Sequence, residues 1–272
     1  MAQTPTHLRP SMSLPDLTVA TYNVHQWVGT DKTYDPCRGL SVLQELRANV
    51  IGLQEVNFPK RIKHKITETT LARELGMELI LGKTLMREEA SYGNVILTNL
   101  PAHDVRRHDI SSDRREPRGV LDVDLLTPFG LIRVLNTHLG LRAAERRVQH
   151  QKLVTILQSI ATRNMTILMG DFNEWLPLRF PFRKIAAFFS RLSAPPSFPT
   201  FFPLLALDRI MISPGRHGVT VHAHKSRLAR FASDHYPVVA AISTKSLLYL
   251  KKMRTERCES QYAAKYLSSA NH

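Results

Sequence analysis

Polar side chains recur at the ends of the apolar segments of this 272-residue chain. These segments begin or end next to carboxylates, amides and histidines, namely Asn23, Glu55, Asn136, His138, Asp171, Asn173, Asp208, Asp234 and His235. A carboxylate or an imidazole buried at a strand end is costly unless it is paired or bound to a metal ion. Because this arrangement recurs so often, we expect these side chains to share one site along one edge of the fold.

The residue types in this set narrow the chemistry. Glu55, Asp171 and Asp234 offer hard oxygen ligands with no cysteine beside them, which favours Mg²⁺ or Mn²⁺ over structural zinc. Histidines beside carboxylates can transfer protons near neutral pH. Amides such as Asn23 and Asn173 can donate hydrogen bonds to an anionic transition state. A metal ion, a proton carrier and hydrogen-bond donors together fit the hydrolysis of a phosphate ester.

Short runs of Val, Ile and Leu predict the strands that would position these residues. The runs span residues 17–24, 50–56, 92–98, 120–126, 131–139, 165–171, 208–213 and 238–243. The TPFG segment between the fourth and fifth runs predicts an antiparallel hairpin. Helical spacing predicts helices over 38–48, over 66–75 with Gly76 as its C-cap, and over 143–161. Strands joined both by a hairpin and by helical crossovers predict mixed sheets with helices outside them, in one α/β domain.

Composition excludes several classes of protein. Hydrophobic residues make up 43% of the chain and charged residues 22%, which is typical of a globular domain and not of a disordered or collagen-like chain. Cys37 and Cys258 are far apart in sequence, which fits a reducing compartment better than a disulfide framework. We find neither a signal-peptide pattern nor an apolar span of about 18 residues. We therefore expect a cytoplasmic monomer with no obligate protein partner, located in the cytoplasm or at the inner face of the membrane.

The net charge of +14 predicts a polyanionic partner, either nucleic acid or an anionic phospholipid surface. Much of the positive charge lies in three stretches, residues 59–65, 106–118 and 142–147. A fourth segment, 179–192, interleaves phenylalanines with Arg and Lys. It is typical of a lid or a packing helix. Alternatively, Phe182, Phe188 and Phe189 would contact lipid.

Seven sequence blocks, in order, resemble the endonuclease/exonuclease/phosphatase (DNase I-like) superfamily. They are TYNVH, LQEV, YGNVILT, NTHLG, GDFNEW, LDRI and SDHYPV. Their details are most similar to a small uncharacterised bacterial branch of metal-dependent hydrolases. The resemblance covers about residues 17–243 and implies a four-layer α/β sandwich of two mixed β-sheets flanked by helices. Residues 1–16 would form a short N-terminal extension and residues 244–272 a basic C-terminal tail.

The resemblance also implies which residues bind metal and water. Glu55 would be the principal metal ligand, with Asn23 beside it and Asp234 assisting. Asp171 would orient or deprotonate the attacking water, and Asn173 would bind the scissile phosphate.

The remaining roles concern the two histidines of the motifs. His235 would contact the phosphoryl oxygens, with its tautomer held by Asp208. His138 would stabilise developing charge or assist the leaving group. Glu89 is the candidate carboxylate that would orient His138. Two further residues, Asn94 and Arg118, would line the site near the substrate phosphate.

Three functions are open at this stage. The first is a divalent-metal-dependent phosphodiester hydrolase that cleaves DNA or RNA by metal-assisted attack of water. The second is a sphingomyelinase-like hydrolase of phospholipids or other phosphoesters at anionic membranes. The third is a non-catalytic module that binds through its basic surface, although every catalytic-type residue of the motifs is present.

Overall fold

The computed structural model describes residues 16–59, 65–87, 90–160, 164–175, 180–215, 218–248 and 252. For residues 83–87, 90–91 and 180–181 it describes the backbone alone. The strands are β1 (Leu17–Asn23), β2 (Val50–Pro59), β3 (Glu78–Arg87), β4 (Ala90–Thr98), β5 (Ala102–Asp109), β6 (Gly119–Thr127), β7 (Gly130–His138), β8 (Met165–Asp171), β9 (Arg191–Ser193), β10 (Asp208–Ser213), β11 (Val219–Ala223) and β12 (Val238–Ile242). The helices are α1 (Pro36–Leu46), α2 (Glu68–Leu75), α3 (Ala143–Gln158), α4 (Phe180–Ala186) and α5 (Arg227–Ala232).

The strands form two six-stranded sheets. Sheet 1 has the order β11-β12-β1-β2-β4-β3, and sheet 2 has the order β5-β6-β7-β8-β10-β9. Each sheet contains one parallel pair, β1–β2 joined through α1 and β7–β8 joined through α3. The other pairs are antiparallel. The two sheets therefore share one plan, in which a crossover helix places two strand C-termini side by side.

Three apolar layers hold the fold together. Side chains alternate along each strand, so Val19 of β1 and Ile167 of β8 point into the layer between the sheets. Their neighbours Ala20 and Leu168 point outward, to the layers under α1, α2 and α5 and under α3 and α4. Strands buried on both faces read as continuous apolar runs, as β8 does. This four-layer α/β sandwich confirms the predicted fold.

The eight predicted strands and three predicted helices are all present, with ends that differ by a few residues. The predicted hairpin is β6–β7, and Gly76 caps α2 with φ +62°. The predicted strands do not include β3, β5, β9 and β11, and the predicted helices do not include the short α4 and α5. β5 reads AHDVRRHD and is only partly buried, so it carries no apolar run.

The described part of the segment 179–192, residues 180–192, contains α4, the residues that connect it to β9, and the start of β9. Phe182 is 1% exposed, and its ring meets the Phe172 ring edge-on at a centroid distance of 5.9 Å. Phe188 and Phe189 are half-buried against the same core. The packing-helix prediction is therefore confirmed, and lipid contact through Phe182 is wrong because this ring fills the core beneath the helix. No helix within the described ranges is long and apolar enough to cross a membrane.

Candidate active site

Three of the predicted site residues lie in one row across sheet 2. His138 ends β7 beside Asp171, which ends β8, and Asp171 pairs with Asp208 at the start of β10. Gly170 makes this row possible, since a Cβ atom there would lie 1.9 Å from the carbonyl oxygen of Thr137. The glycine of the GDFNEW block is thus explained by the close approach of β7 to β8.

Sheet 1 contributes Asn23 from the end of β1 and Glu55 from β2. The Asn23 Nδ2 atom donates to Glu55 Oε1 at 3.0 Å and to Asp171 Oδ2 at 3.1 Å, which links the two sheets. Glu55 has φ +55° at a bulge between Leu53 and Val56. A bulge redirects a side chain out of the strand's alternation, at a cost in backbone strain that the surroundings must offset. The strain therefore falls on the residue predicted as the principal metal ligand.

His235 and Asp208 form a buried pair. His235 Nδ1 lies 2.8 Å from Asp208 Oδ2, which also accepts a 2.6 Å hydrogen bond from Ser197 Oγ. Burial alone would lower the pKa of His235, but the charges of Asp208 and Asp171 raise it to about 10. His235 is therefore an imidazolium at neutral pH, and its Nε2–H group lies 3.8 Å from Asp171 Oδ2.

His138 is in the opposite state. Burial, together with the charge of Arg118, lowers the pKa of His138 to about 3, and only the charge of Asp171 opposes this shift. Arg118 Nη1 lies 3.0 Å from His138 Nδ1, and because a guanidinium only donates, Nδ1 must be the acceptor. The ring proton is thus on Nε2, which lies 3.6 Å from Asp171 Oδ2 and 3.9 Å from Glu55 Oε1. The site therefore holds one neutral and one charged imidazole, an arrangement that suits separate acid and base roles.

Asn173 lies in the loop that follows β8, and Gln149 of α3 contacts the loop that follows β7. The Asn173 backbone N–H donates to Asp171 Oδ1 at 2.9 Å, and its Nδ2 donates to the Leu139 carbonyl at 2.9 Å. Asn173 Nδ2 also lies 3.2 Å from His138 Nε2, but because both nitrogens carry hydrogen in this tautomer, this is a close contact and not a hydrogen bond. Beneath them, Gln149 of α3 accepts from the Gly140 N–H at 2.8 Å, so it anchors α3 to the loop after β7.

Other predicted residues lie at the margins of this group. The side chain of Asp234 is 35% exposed, and its Oδ1 atom lies 3.7 Å from His25 Nδ1 and 3.4 Å from Ser233 Oγ. Asn94 donates to the Gly119 carbonyl at 3.1 Å and lines a small cleft with Glu55, Arg118 and His138. Glu89 lies outside the described residues.

Asn136, although it ends an apolar run, belongs to the core. Its amide donates to the carbonyls of Leu53 and Val95 at 2.9 Å, and its Oδ1 accepts from Gln54 at 2.7 Å. It therefore bonds sheet 2 to sheet 1, and the expectation that it shares the site is wrong because every polar atom of its side chain is used between the sheets.

Sequence reasoning missed three contacts that shape the site. Ser197 bonds Asp208, Phe198 lies over His235 with a centroid distance of 4.7 Å, and Ser233 Oγ donates to the Asn23 carbonyl at 2.8 Å. Serine in an irregular loop gives no signal in a single sequence. The Arg118 contact with His138 did have a signal in the sequence. The predicted β6–β7 hairpin brings residues 120 and 137 opposite each other, and this pairing places residue 118 near residue 138.

We define the site cluster by six residues: Asn23, Glu55, His138, Asp171, Asp208 and His235. Its carboxylates face amides and imidazoles, and within the described residues none of the three forms an ion pair with Lys or Arg. Asp208 Oδ1 is buried and has no hydrogen-bond partner among those residues. Carboxylate oxygens whose negative charge is not balanced by Lys or Arg are suitable ligands for a divalent cation.

Two positions in the cluster could hold that cation. Asp171, Asp208 and His235 place one ligand atom each within 4.8 Å of one another. However, Asp208 Oδ2 and His235 Nδ1 already bond each other, and a protonated imidazole is no ligand. We favour the position beside Glu55, which Asn23 orients from the neighbouring strand.

Comparison with known proteins agrees with this geometry. The family model for the endonuclease/exonuclease/phosphatase family matches residues 20–235. The chain is similar to the uncharacterized protein YbhP of Escherichia coli (strain K12), with 29% identity over 251 residues, covering 82% of this chain and 95% of that protein.

Solved structures show the same fold. A Beutenbergia cavernae endonuclease/exonuclease/phosphatase aligns with a TM-score of 0.68 and 21% identity, over 85% of this chain and 72% of that one. The human Nocturnin catalytic domain, solved with a bound sulfate anion, aligns with a TM-score of 0.63 and 17% identity, over 85% and 94%. From the family match over most of its length, the chain belongs to the endonuclease/exonuclease/phosphatase family and is a phosphoester hydrolase.

Proposed function

We propose that the protein is a divalent-metal-dependent phosphodiesterase that cleaves a P–O bond by metal-assisted attack of water. The observation that carries this proposal is the site cluster itself. Residues separated by up to 212 positions in sequence, from Asn23 to His235, meet through the contacts of Asp171. The carboxylates, none of which forms an ion pair with Lys or Arg among the described residues, and the two imidazoles in opposite protonation states suit a reaction that needs a cation, a proton donor and an oriented water.

Each side chain has a defined task in this proposal. Glu55 would hold the cation, with Asn23 and Asp234 as the further predicted ligands, and the cation would supply positive charge beside the phosphate. Asp171, at the centre of the cluster, would orient the water and accept its proton. Hard oxygen ligands favour Mg²⁺, with Mn²⁺ as the alternative.

The two histidines would act on the phosphate from different directions. His235, charged and held by Asp208, would donate through Nε2 to a phosphoryl oxygen. His138, neutral and held by Arg118, would donate its Nε2 proton toward developing charge. Asn173 would bind the scissile phosphate, and Asn94 and Arg118 would line the same cleft.

Nucleic acid is the substrate class that the net charge favours, and a cytoplasmic monomer is consistent with that role. Arg114, Arg115, Arg142 and Arg147 are exposed and available to phosphates. Some arginines of the expected basic surface, however, form ion pairs with carboxylates of the protein itself. Arg106 pairs with Asp122 and Asp124, and Arg146 with Glu174.

Phospholipid is the second candidate substrate, supported by an exposed apolar loop beside His235. The third candidate, a non-catalytic basic module, requires that the complete cluster be inactive. These three functions differ in what they cleave, so one experiment separates them.

The deciding experiment is a substrate panel with Mg²⁺, Mn²⁺ or EDTA. It comprises supercoiled DNA, single-stranded DNA, RNA, sphingomyelin, cardiolipin and bis(p-nitrophenyl) phosphate. We expect cation-dependent cleavage of at least one diester, abolished by EDTA and by Glu55→Ala. Cleavage that continues in EDTA, or no cleavage of any diester with either metal, would contradict the proposal.

A further inference from the structure

The loop of residues 194–207, between β9 and β10, presents apolar side chains to solvent. Phe201 is 72% exposed, Phe202 61% and Leu204 64%. Exposed apolar residues scattered singly are ordinary, but a cluster of large ones beside a site marks a surface that meets a partner. We call residues 194–207 the aromatic loop.

The aromatic loop is firmly anchored to the site. Thr200 donates through its N–H to the Asp234 carbonyl at 2.9 Å and through Oγ1 to the Ser233 carbonyl at 3.1 Å. Across its base, Phe198 N–H donates to the Leu205 carbonyl at 3.1 Å, and Leu205 N–H donates back at 2.8 Å. Phe201 therefore directly follows Thr200, which is hydrogen-bonded to the backbone of Ser233 and Asp234. These hydrogen bonds hold the loop in a conformation that keeps its phenylalanines exposed.

Neighbouring segments extend the apolar surface around the same end of the molecule. On α5, which leads into Ser233, Leu228 is 42% exposed and Phe231 47%. From sheet 2, Leu141 and Trp175 are 75% and 54% exposed, and each lies within four residues of the strand end that carries His138 or Asp171. Exposed apolar side chains therefore flank the site from both sheets.

Positive charge accompanies these residues. Arg227 and Arg230 are exposed on α5, and Arg142 and Arg147 are exposed near Leu141. Apolar side chains that enter the acyl boundary, combined with Arg or Lys that meet anionic headgroups, are the combination by which peripheral proteins bind membranes.

We propose that the aromatic loop docks the site onto an anionic phospholipid bilayer, so that the phosphodiester presented to the site is a lipid headgroup. The proposal deepens the phosphodiesterase function and rests on it. A nucleic-acid surface is the weaker fit. Phe201, Phe202, Phe231 and Trp175 have π-faces on which bases could stack, but the similarly exposed Leu204, Leu228 and Leu141 have none, whereas all seven side chains can enter an acyl layer.

The test compares vesicle binding with cleavage of a soluble diester. The full-length protein and the double variant Phe201→Ser/Phe202→Ser are sedimented with vesicles of phosphatidylglycerol and phosphatidylcholine, and with phosphatidylcholine alone. We expect the wild type to prefer the anionic vesicles. The double variant should bind them at least about tenfold more weakly, since each buried phenylalanine contributes that much to binding.

Leu126→Ser is the matched control. Leu126 is 51% exposed near the end of β6 and pairs with Leu131 of β7, which lies seven strand residues before His138, or about 23 Å at 3.3 Å per residue. It should bind vesicles as the wild type does. Phe201→Trp, the conservative variant, should also retain binding, with its indole emission shifted to shorter wavelength on anionic vesicles.

Three results would overturn the docking proposal. They are a wild type that does not bind anionic vesicles, a double variant that binds them as tightly as the wild type, and a double variant that loses affinity only for a single-stranded oligonucleotide. Hydrolysis of bis(p-nitrophenyl) phosphate is measured in parallel and should be unchanged in the double variant. If neither the wild type nor the double variant cleaves any diester of the substrate panel while the vesicle results hold, the phosphodiesterase function fails and the docking surface stands.

Discussion

Among the described residues, two of the clusters of buried carboxylates and histidines differ in how their charge is balanced. One is the site cluster. The other, the Asp122 cluster, lies on sheet 2 and consists of Asp122, Arg106, His108 and Arg133. Both contain a histidine nitrogen 2.8 Å from a fully buried aspartate, His235 with Asp208 and His108 with Asp122.

The partners of the two aspartates are different. Asp122 accepts hydrogen bonds from Arg133 at 2.8 and 2.5 Å and from Arg106 at 3.2 Å, in addition to His108. Burial raises its pKa, but Arg133, Arg106 and His108 more than offset this and hold the pKa below its usual range. Asp208 has only a serine and a histidine, and one of its oxygens has no partner among the described residues.

Charge balance therefore distinguishes the Asp122 cluster, whose carboxylate is paired with guanidinium groups, from the site cluster, which we propose to be reactive. A carboxylate saturated by fixed guanidinium groups can bind nothing more, and removing it leaves buried cations unpaired. Carboxylates held only by amides and imidazoles keep their negative charge available for a cation or a proton. Substitutions in each cluster, an added divalent cation and a change of pH test this difference in charge balance.

Glu55→Ala should reduce cation-dependent cleavage by about 10³-fold or more, because the charge that holds the cation beside the phosphate is lost. The turnover rate on the best substrate of the panel measures this loss. The circular dichroism spectrum should remain that of the wild type. Full activity in this variant would refute the assignment of Glu55 as a ligand.

His235→Ala should lower kcat by about 10²–10⁴-fold, the usual scale of general acid–base help. His108→Ala is the matched control, because its bond to Asp122 has the same length but no site around it. It should leave kcat unchanged at a temperature where the protein is folded. A loss of less than about threefold in His235→Ala would exclude the proposed role.

Asp122→Ala should lower the free energy of unfolding by about 3 kcal/mol, since it breaks a buried pair and leaves guanidinium groups unpaired. Urea unfolding measures this change. Asp124→Ala, which removes a more exposed partner of Arg106, should cost no more than about 1 kcal/mol. Turnover by folded Asp122→Ala should equal that of the wild type, and a 100-fold loss of kcat would assign this cluster to the site instead.

Adding Mg²⁺ or Mn²⁺ at about 100 times its Kd should stabilise the wild type by about 2.7 kcal/mol, because the folded state alone binds the ion. Thermal unfolding with and without the cation measures this effect. Asp124→Ala should gain as much as the wild type, and Glu55→Ala should gain little. An equal gain in Glu55→Ala would place the cation elsewhere.

His150 is a third buried histidine and has no carboxylate hydrogen bond among the described residues. Burial lowers its pKa to about 4, with Arg146 and Arg209 acting in the same direction and Glu174 opposing. The folded state therefore favours the neutral ring, so this contribution is complete above pH 6.5 and is lost as the pH falls toward 4.

His150→Leu should remove this acid sensitivity. Between pH 7 and pH 5 the wild type should lose about 2 kcal/mol more unfolding free energy than the variant does. Urea unfolding at the two pH values measures the difference, which also cancels the titration of the other groups. Equal losses in the two proteins would show that His150 is not held neutral in the fold.

Much of the site could be predicted because catalytic residues follow runs that are strongly apolar. β8 is buried along its whole length, so MTILMGD is unmistakable, and Asp171 and Asn173 follow from its end. β5 could not be found, because its charged residues pair within sheet 2 and produce no apolar pattern. Asn136 misled for a related reason, since a buried amide between two sheets looks in sequence like a polar strand end.

The apolar pattern of the chain was enough to predict the layers of the fold and the residue types that gather at one edge, because burial on one or two faces of a strand dictates that pattern. The partners of these side chains follow from the three-dimensional packing. That Arg118 holds His138, that Ser197 shares Asp208 with His235, and that Phe201 points outward all depend on contacts between distant segments. Such contacts depend on strand register and loop path, which leave no periodicity in the chain.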